Sequence, residues 1–481
     1  MRVRQAAGFL AAFFIVAGGA ALLTWRSRGV PNLFLEDDAY FYLQIAWNIG
    51  TGHGSTFDGL HTTNGYHLLW MGILATLARV VSAIGLGKTA FVAATSALSL
   101  SIALAATLWA FTRTAERVLV MLLFLFCGVT MESTILGALL LVGMRQFVGE
   151  IRLGTTTVAV VAALVPLARI DYAWLLPALA LLGAARGAEQ AALAPGPTLV
   201  GAAIGVALHL GVEQLVFGAW ASVSSSIKAI MLVRYGLAGL LSRNLRGIGN
   251  EIRYAIVVAF AVFTCYRASA RVRAAVVMAV APLAFYTVFS FVRDWYFAVP
   301  LLTGALLASR APRPARAWPA LATALSVLIA ASFGAYLFRN QADWMATAAF
   351  VERANGMLAP GDIVYQVDGS GFPAWHLGSR VVNGDGLVNS WSYRDRLVAE
   401  NLGTYLDDIG ATHIIVTGPQ GSRLLRYHGL EVRPDQARLL LEAERASTQN
   451  VHYRLYALSP RLRTISPESA GVVPVTETST H

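Results

Sequence analysis

Cysteine is nearly missing from this 481-residue chain, which has only Cys127 and Cys265, both inside apolar runs. That excludes a disulfide scaffold and a thiolate metal site, and leaves the two to pack as small apolar side chains. Charge is also scarce, at 13% of residues, about half the share of an ordinary globular chain. With 56% hydrophobic residues and a mean hydropathy of +0.58, this excludes a soluble globular protein and indicates a polytopic membrane protein in contact with a lipid bilayer. Acidic side chains are outnumbered 27 to 37, for a net charge of +10. The excess would suit nucleic acid, but the arginines fall in short clusters between apolar spans, which is the positive-inside pattern, so no nucleic-acid partner is expected.

The basic start Met1 to Arg4 and the apolar segment 6–25 are expected to form a retained first anchor, with a cleaved signal peptide as the rival reading. Further spans are expected at 90–112, 118–130, 133–149, 155–169, 172–185, 197–218, 251–266, 274–292, 295–309 and 317–337, giving about eleven in all. With the N-terminus cytoplasmic, this count places Arg113 and Arg117, Arg145 and Arg152, Arg186, Arg267 with Arg271 and Arg273, and Arg310 with Arg313 and Arg316 inside. Treating 66–85 as another crossing would move all of these clusters out, so that segment is expected in the outer interface, within a long first loop over 26–89.

The chain is organised around that loop. Asp37 and Asp38 open a helix-like run from Tyr40 to Ile49, and the turn-rich stretch Gly50 to Gly59 follows, carrying His53 and unable to continue a helix cheaply. Thr62, Thr63, Asn64, Gly65, Tyr66 and His67 then lead to Leu68, Leu69 and Trp70. A solvated acidic turn is the plain alternative for the pair. The wording DDAYFYLQIAWNIGTGHGSTFDG followed by TNGYHLLW resembles the GT-C superfamily of membrane glycosyltransferases, specifically a bacterial branch that uses polyprenyl-phosphate sugars. Met131-Glu132, Arg169-Ile170-Asp171, Phe217-Gly218 through Lys228, and Trp295-Tyr296 fall in the order of that branch's landmarks. Thr130 departs from the small Gly-type residue that precedes the Met-Glu landmark there.

The resemblance implies a GT-C fold in the bacterial inner membrane and a transferase that moves sugar from a polyprenyl-phosphate donor to an acceptor hydroxyl on a glycan, lipid or protein. Asp37 is expected as the base, with Asp38 orienting it or exchanging roles with it. Single displacement would invert the anomeric centre. Lys228, Arg293, Tyr296 and Arg169 are the candidate donor-phosphate contacts. Tyr40, His53, His67, Glu132, Asp171 and Asp294 are candidates for the cavity around them, because five separated segments bring ionisable groups to one membrane face.

Each of these has a plain alternative. Glu132 could be a hydrated turn residue, Arg169 and Asp171 could pair across helices, Lys228 could snorkel, and Arg293 to Tyr296 could be an interfacial anchor. His53, His61 and His67 match no compact ligand spacing, so no cofactor is assigned and a divalent metal is a minor reading.

Residues 1–339 thus form the expected membrane domain and 340–462 a small extracytoplasmic α/β domain. The latter should have a helix at 343–357, strands at 363–367, 380–383, 412–417 and 453–458, and one or two helices over 391–407. Asp385 or Asn389 could meet a sugar, but the segment reads first as a structural loop. Residues 463–481 are rich in Ser, Thr, Pro and Glu and are expected to be disordered. Two other classes fit many spans: a flippase or transporter of lipid-linked sugars, whose internal repeats and mid-membrane charges are not evident, and a membrane scaffold with an outer binding domain, which leaves the converging charges without a use.

Overall fold

The computed structural model describes residues 35–128, 130–185, 193–245, 248–266, 268–310, 317–418, 425–444 and 452–459. The expected first anchor, Arg186, Arg267, Arg313, Arg316 and the tail from 463 lie outside the described residues.

The first described helix, α1 (Asp37–Gly50), has Asp37 and Asp38 in its first turn, where negative charge complements the exposed amide dipoles. It buries residues on nearly every side, from Ala39 to Ala46, because it lies between α2 (Leu68–Ala83) and the C-terminal domain. Helices then follow as α3 (Lys88–Ala110), α4 (Thr114–Phe126), α5 (Ser133–Phe147), α6 (Thr155–Ala168), α7 (Leu175–Ala185), α8 (Pro195–Phe217), α9 (Val223–Leu245), α10 (Ile248–Cys265), α11 (Ala270–Phe289), α12 (Ala298–Ser309) and α13 (Ala317–Asn355). Each stands at an expected span except α9, which forms between residues 218 and 251, where no span is expected. Among the described residues four helices are long and apolar enough to cross a membrane, Lys88–Ala110, Pro195–Phe217, Val272–Phe289 and Ala317–Ala335, and the other apolar ones are shorter.

The face of α8 shows what solvent the helices are built for. Leu199, Val200, Ile204, Leu208, Val212 and Leu215 are exposed, whereas His209 and Glu213 are buried. Apolar outside and polar inside is the arrangement that a lipid surround favours.

The bundle has two chemically different ends. At one, Arg145 Nε donates to Glu150 at 2.9 Å, Arg310 also bonds Glu150, and Arg310 reaches the Ala110 carbonyl at 3.0 Å. Helices α3, α5 and α12 all finish here. Their starts lie at the other end, next to Trp375, Glu132 and Tyr296 respectively.

The α/β region does not begin at a break. Helix α13 runs on without interruption to Asn355, past the expected boundary at 340, and Phe350 on it packs against Tyr453 with ring centroids 5.3 Å apart. Strands β1 (Ile363–Gln366), β2 (Arg380–Asn383) and β3 (His413–Gly418) are parallel, and β6 (Ala437–Glu444) and β7 (His452–Leu458) extend the sheet antiparallel in the order β2-β1-β3-β7-β6. A separate hairpin joins β4 (Leu425–Tyr427) to β5 (Leu430–Val432). The short helix α14 (Gly371–His376) follows β1, and α15 (Trp391–Val398) and α16 (Tyr405–Asp408) lie between β2 and β3.

Candidate functional site

Two neighbouring carboxylates on α1 have different surroundings. Asp37 accepts hydrogen bonds from the backbone N–H groups of Gly371, at 3.1 Å, and Phe372, at 2.8 Å. It therefore fastens α14 to the first loop. The approach is close enough to require glycine, since a Cβ on Gly371 would fall 2.2 Å from the Asp37 carbonyl oxygen. Tyr40 belongs to the same junction, edge-on to Phe372 at 5.4 Å and to His376 at 5.8 Å. Burial pushes the Asp37 carboxyl up to about 7, against the two amide donors that favour its charged form.

Asp38, one residue on and about 100° around the helix, faces a narrow cleft. Tyr42, His67, Glu132, Lys228 and Trp295 share that cleft, and Leu387 and Val388 of the C-terminal domain close it. Among the described residues no protein group donates a hydrogen bond to Asp38. Its carboxyl is raised by burial, which Arg293 and then Lys228 oppose and Asp368 reinforces. Lys228 Nζ donates to the Tyr296 hydroxyl at 3.2 Å. Gly65 brings the first loop against Leu387 of the C-terminal domain, because any Cβ there would sit 1.9 Å from the Leu387 carbonyl oxygen.

His67 Nε2 lies 3.6 Å from Glu132 Oε1, and burial, with Arg169 next in effect, holds its imidazole well below the usual range. Behind Glu132 sits Arg169, itself 3% exposed. It donates to Glu132 at 3.0 Å and to both oxygens of Asp171, at 3.2 and 3.0 Å. The Tyr286 hydroxyl also donates to Asp171, and the guanidinium lies 4.6 Å from the centre of the Tyr296 ring. Three of its donor groups are thus taken by two carboxylates, a bidentate geometry that fixes the fork.

The structure therefore sorts the expected site residues. It brings Asp38, His67, Glu132 and Lys228 together, with Tyr296 holding the lysine. Arg293 stands exposed on the rim, where its charge acts on Asp38, Asp368 and Glu36. Arg169 and Asp171 support the cleft from behind, consumed by each other and by Glu132. Asp294 is bound by Arg253 at 2.6 Å, and Arg253 also donates to the Phe126 carbonyl at 3.0 Å.

His53 is exposed and bonds only locally, to Thr51 at 2.9 Å, so it is corrected out of the cavity, and Tyr40 is moved to the domain junction. Asp385 bonds its own turn through Leu387 N–H at 2.8 Å, and buried Asn389 bonds the Asn383 carbonyl at 2.7 Å, which makes this stretch a structural loop. Among the described residues no three His, Cys, Asp or Glu side chains are gathered to hold a metal ion.

Some members escape a sequence reading. Arg253 and the buried pair His209–Glu213 carry a usable signal, an ionisable group inside an apolar run. Asn64 carries none. Its amide donates to Glu213 at 2.5 Å and to the Ala221 carbonyl at 3.0 Å, and its oxygen accepts from Val223 N–H at 2.9 Å. Through Val223 it fixes the start of α9, which delivers Ser224 and Lys228 to the cleft.

No protein-family model and no curated protein matches the chain. Among solved structures it is similar to ArnT from Cupriavidus metallidurans bound to undecaprenyl phosphate, at 10% identity and a TM-score of 0.48, over 96% of this chain and 100% of that one. It is also similar to the arabinofuranosyltransferase AftD from Mycobacteria, at 13% identity and a TM-score of 0.41, over 93% of this chain and 40% of that one. Likeness at this level carries no weight for chemistry, which rests on the residues of the cleft.

Proposed function

We propose that the chain is a GT-C membrane glycosyltransferase that moves a sugar from a polyprenyl-phosphate donor to an acceptor hydroxyl by inverting single displacement. The observation that carries this reading is the presence, in one narrow cleft, of Asp38, a carboxylate to which no described residue donates a hydrogen bond, together with the ammonium of Lys228.

Such a transfer needs a base at the acceptor oxygen and positive charge at the leaving phosphate. As the acceptor oxygen bonds to the anomeric carbon, its proton passes to Asp38. The bond from that carbon to the phosphate oxygen breaks, and Lys228 stabilises the departing charge with Arg293 at the rim. A phosphate leaves as an anion, so no second carboxylic acid is required, unlike glycoside hydrolysis. The base role that the sequence reading gave first to Asp37 is better given to Asp38, because Asp37 is occupied by Gly371 and Phe372.

Helix direction supports the sidedness. Helices α3, α5 and α12 each run from the cleft end to the end where Arg145 and Arg310 gather, and basic clusters favour the cytoplasm. The cleft and the α/β domain then lie outside, in a bacterial inner membrane, with the N-terminus inside and eleven crossings.

The test is reconstitution of the full chain in proteoliposomes with a panel of synthetic polyprenyl-phosphate sugars. Acceptor-dependent release of polyprenyl phosphate from at least one member is expected. Failure to discharge any member contradicts the reading.

A further inference from the structure

A second, larger space lies beside the cleft and has the opposite chemistry. It is a groove of about 470 Å³ between the first loop, the end of α8 and the start of α15, within the size range of small-molecule sites, about 300–1,000 Å³. Trp391 and Phe217 supply its aromatic surface, and His61, Thr62, Ser390 and Ser392 its hydrogen-bonding groups. Among the described residues no Asp, Glu, Lys or Arg lines it. The two spaces share a wall, since Asn64 and Ser390 line the groove whereas the nearby Gly65 and Val388 line the cleft.

The polar groups are held in place with capacity to spare. Asp58 takes His61 Nδ1 at 2.8 Å, which leaves Nε2 as the ring's remaining hydrogen-bonding atom. Ser390 caps α15 by accepting from Tyr393 N–H at 3.2 Å and also contacts Ser392 at 2.9 Å, while Ser392 itself is exposed. The indole N–H of Trp391 is buried and has no acceptor among the described residues, so Trp391 contributes aromatic surface to the groove rather than a donor.

We propose that this groove binds a neutral saccharide, which is the glycan part of the acceptor if the transferase reading above holds. Aromatic surface suits the C–H faces of a sugar ring, and hydroxyl and imidazole groups suit its oxygens. Arg394, whose guanidinium lies 5.9 Å from the centre of the Trp391 ring, donates to Ser226 at 2.7 Å and to Asp395 at 2.9 Å. A phosphate, nucleotide or acidic glycan would therefore meet no uncommitted cation in the described lining, and the anionic donor and the neutral acceptor are separated by chemistry as well as by the shared wall.

The experiment is saturation-transfer NMR on the full chain in detergent, with methyl α-D-mannopyranoside, maltotriose and an arabino-oligosaccharide as neutral probes and glucose 6-phosphate as the anionic one. At least one neutral probe is expected to bind and glucose 6-phosphate to bind more weakly. Trp391→Ala should weaken the bound probe about tenfold, and Ser392→Arg, made at an exposed position, should block it independently of any effect on folding.

Asp38→Asn should leave binding intact, which separates this test from catalysis. If transfer fails but these results hold, only the acceptor role is lost. Binding of none of the neutral probes, equal binding of glucose 6-phosphate, or binding that survives both groove variants would overturn the proposal.

Discussion

Asp38→Asn is expected to lower kcat of sugar transfer by about 10²–10⁴-fold, the range that a positioned base contributes, with donor binding retained. The substitution keeps shape and removes only the proton acceptor. Asp37→Asn is the informative partner, because Asp37 meets the Gly371 and Phe372 amides rather than the cleft. Its loss of turnover should be less than about tenfold, accompanied by faster amide exchange over 371–376, where the docking contact is weakened.

The pH profile has a fixed sign. Only ionised Asp38 accepts a proton, and burial raises its carboxyl, so wild-type activity should climb with pH through a limb displaced above the ordinary aspartate value of about 3.9. That limb should vanish in Asp38→Asn. Tolerance of Asp38→Asn together with loss in Asp37→Asn would reverse the two assignments.

Arg169→Met is expected to destabilise the fold by about 3–5 kcal/mol, the cost of removing one partner from a buried ionic group. Glu132 and Asp171 both depend on this guanidinium, and the methionine would fill the space without compensating either charge. The melting temperature in detergent should therefore fall. Adding Glu132→Gln to Arg169→Met should recover part of the loss, because one of the two stranded carboxylates is then neutral. A direct phosphate contact predicts instead that Arg169→Met keeps its melting temperature and loses donor affinity.

Much of the architecture is legible before any coordinates. Runs of apolar residues locate α3 to α8 and α10 to α12 to within a few residues, since a helix in lipid must be apolar, whereas α9 forms between the expected spans. Short β-branched runs locate β1, β2 and β3, and the Tyr-Arg-Leu-Tyr alternation at 453–456 locates β7. Strand β6 is not legible: Ala437, Leu439, Leu440, Leu441, Glu442 and Ala443 are strong helix formers, and pairing with β7 overrides that preference. That one helix runs through residue 340 has a related cause. Polarity changes there, but no proline or glycine interrupts the chain between Gly334 and Asn355, so α13 continues.

Within the site, the acidic pair stands out in the sequence but the division of labour within it does not. Adjacent residues on a helix point about 100° apart, and only the packing of α14 shows which one is taken. The retention of Arg169 by Glu132, 37 positions away, and the hold of Asn64 on Val223 are likewise products of tertiary contact that no local pattern announces.

The stereochemistry of one turnover tests the mechanism most directly. With a donor of defined anomeric configuration, NMR of the product formed by the wild-type chain should show the opposite configuration at the transferred sugar, as attack on the face away from the phosphate by an Asp38-activated hydroxyl requires. A product that retains the donor's configuration would mean a covalent intermediate or a different path, and would contradict the assignment of Asp38 as the base of a single displacement.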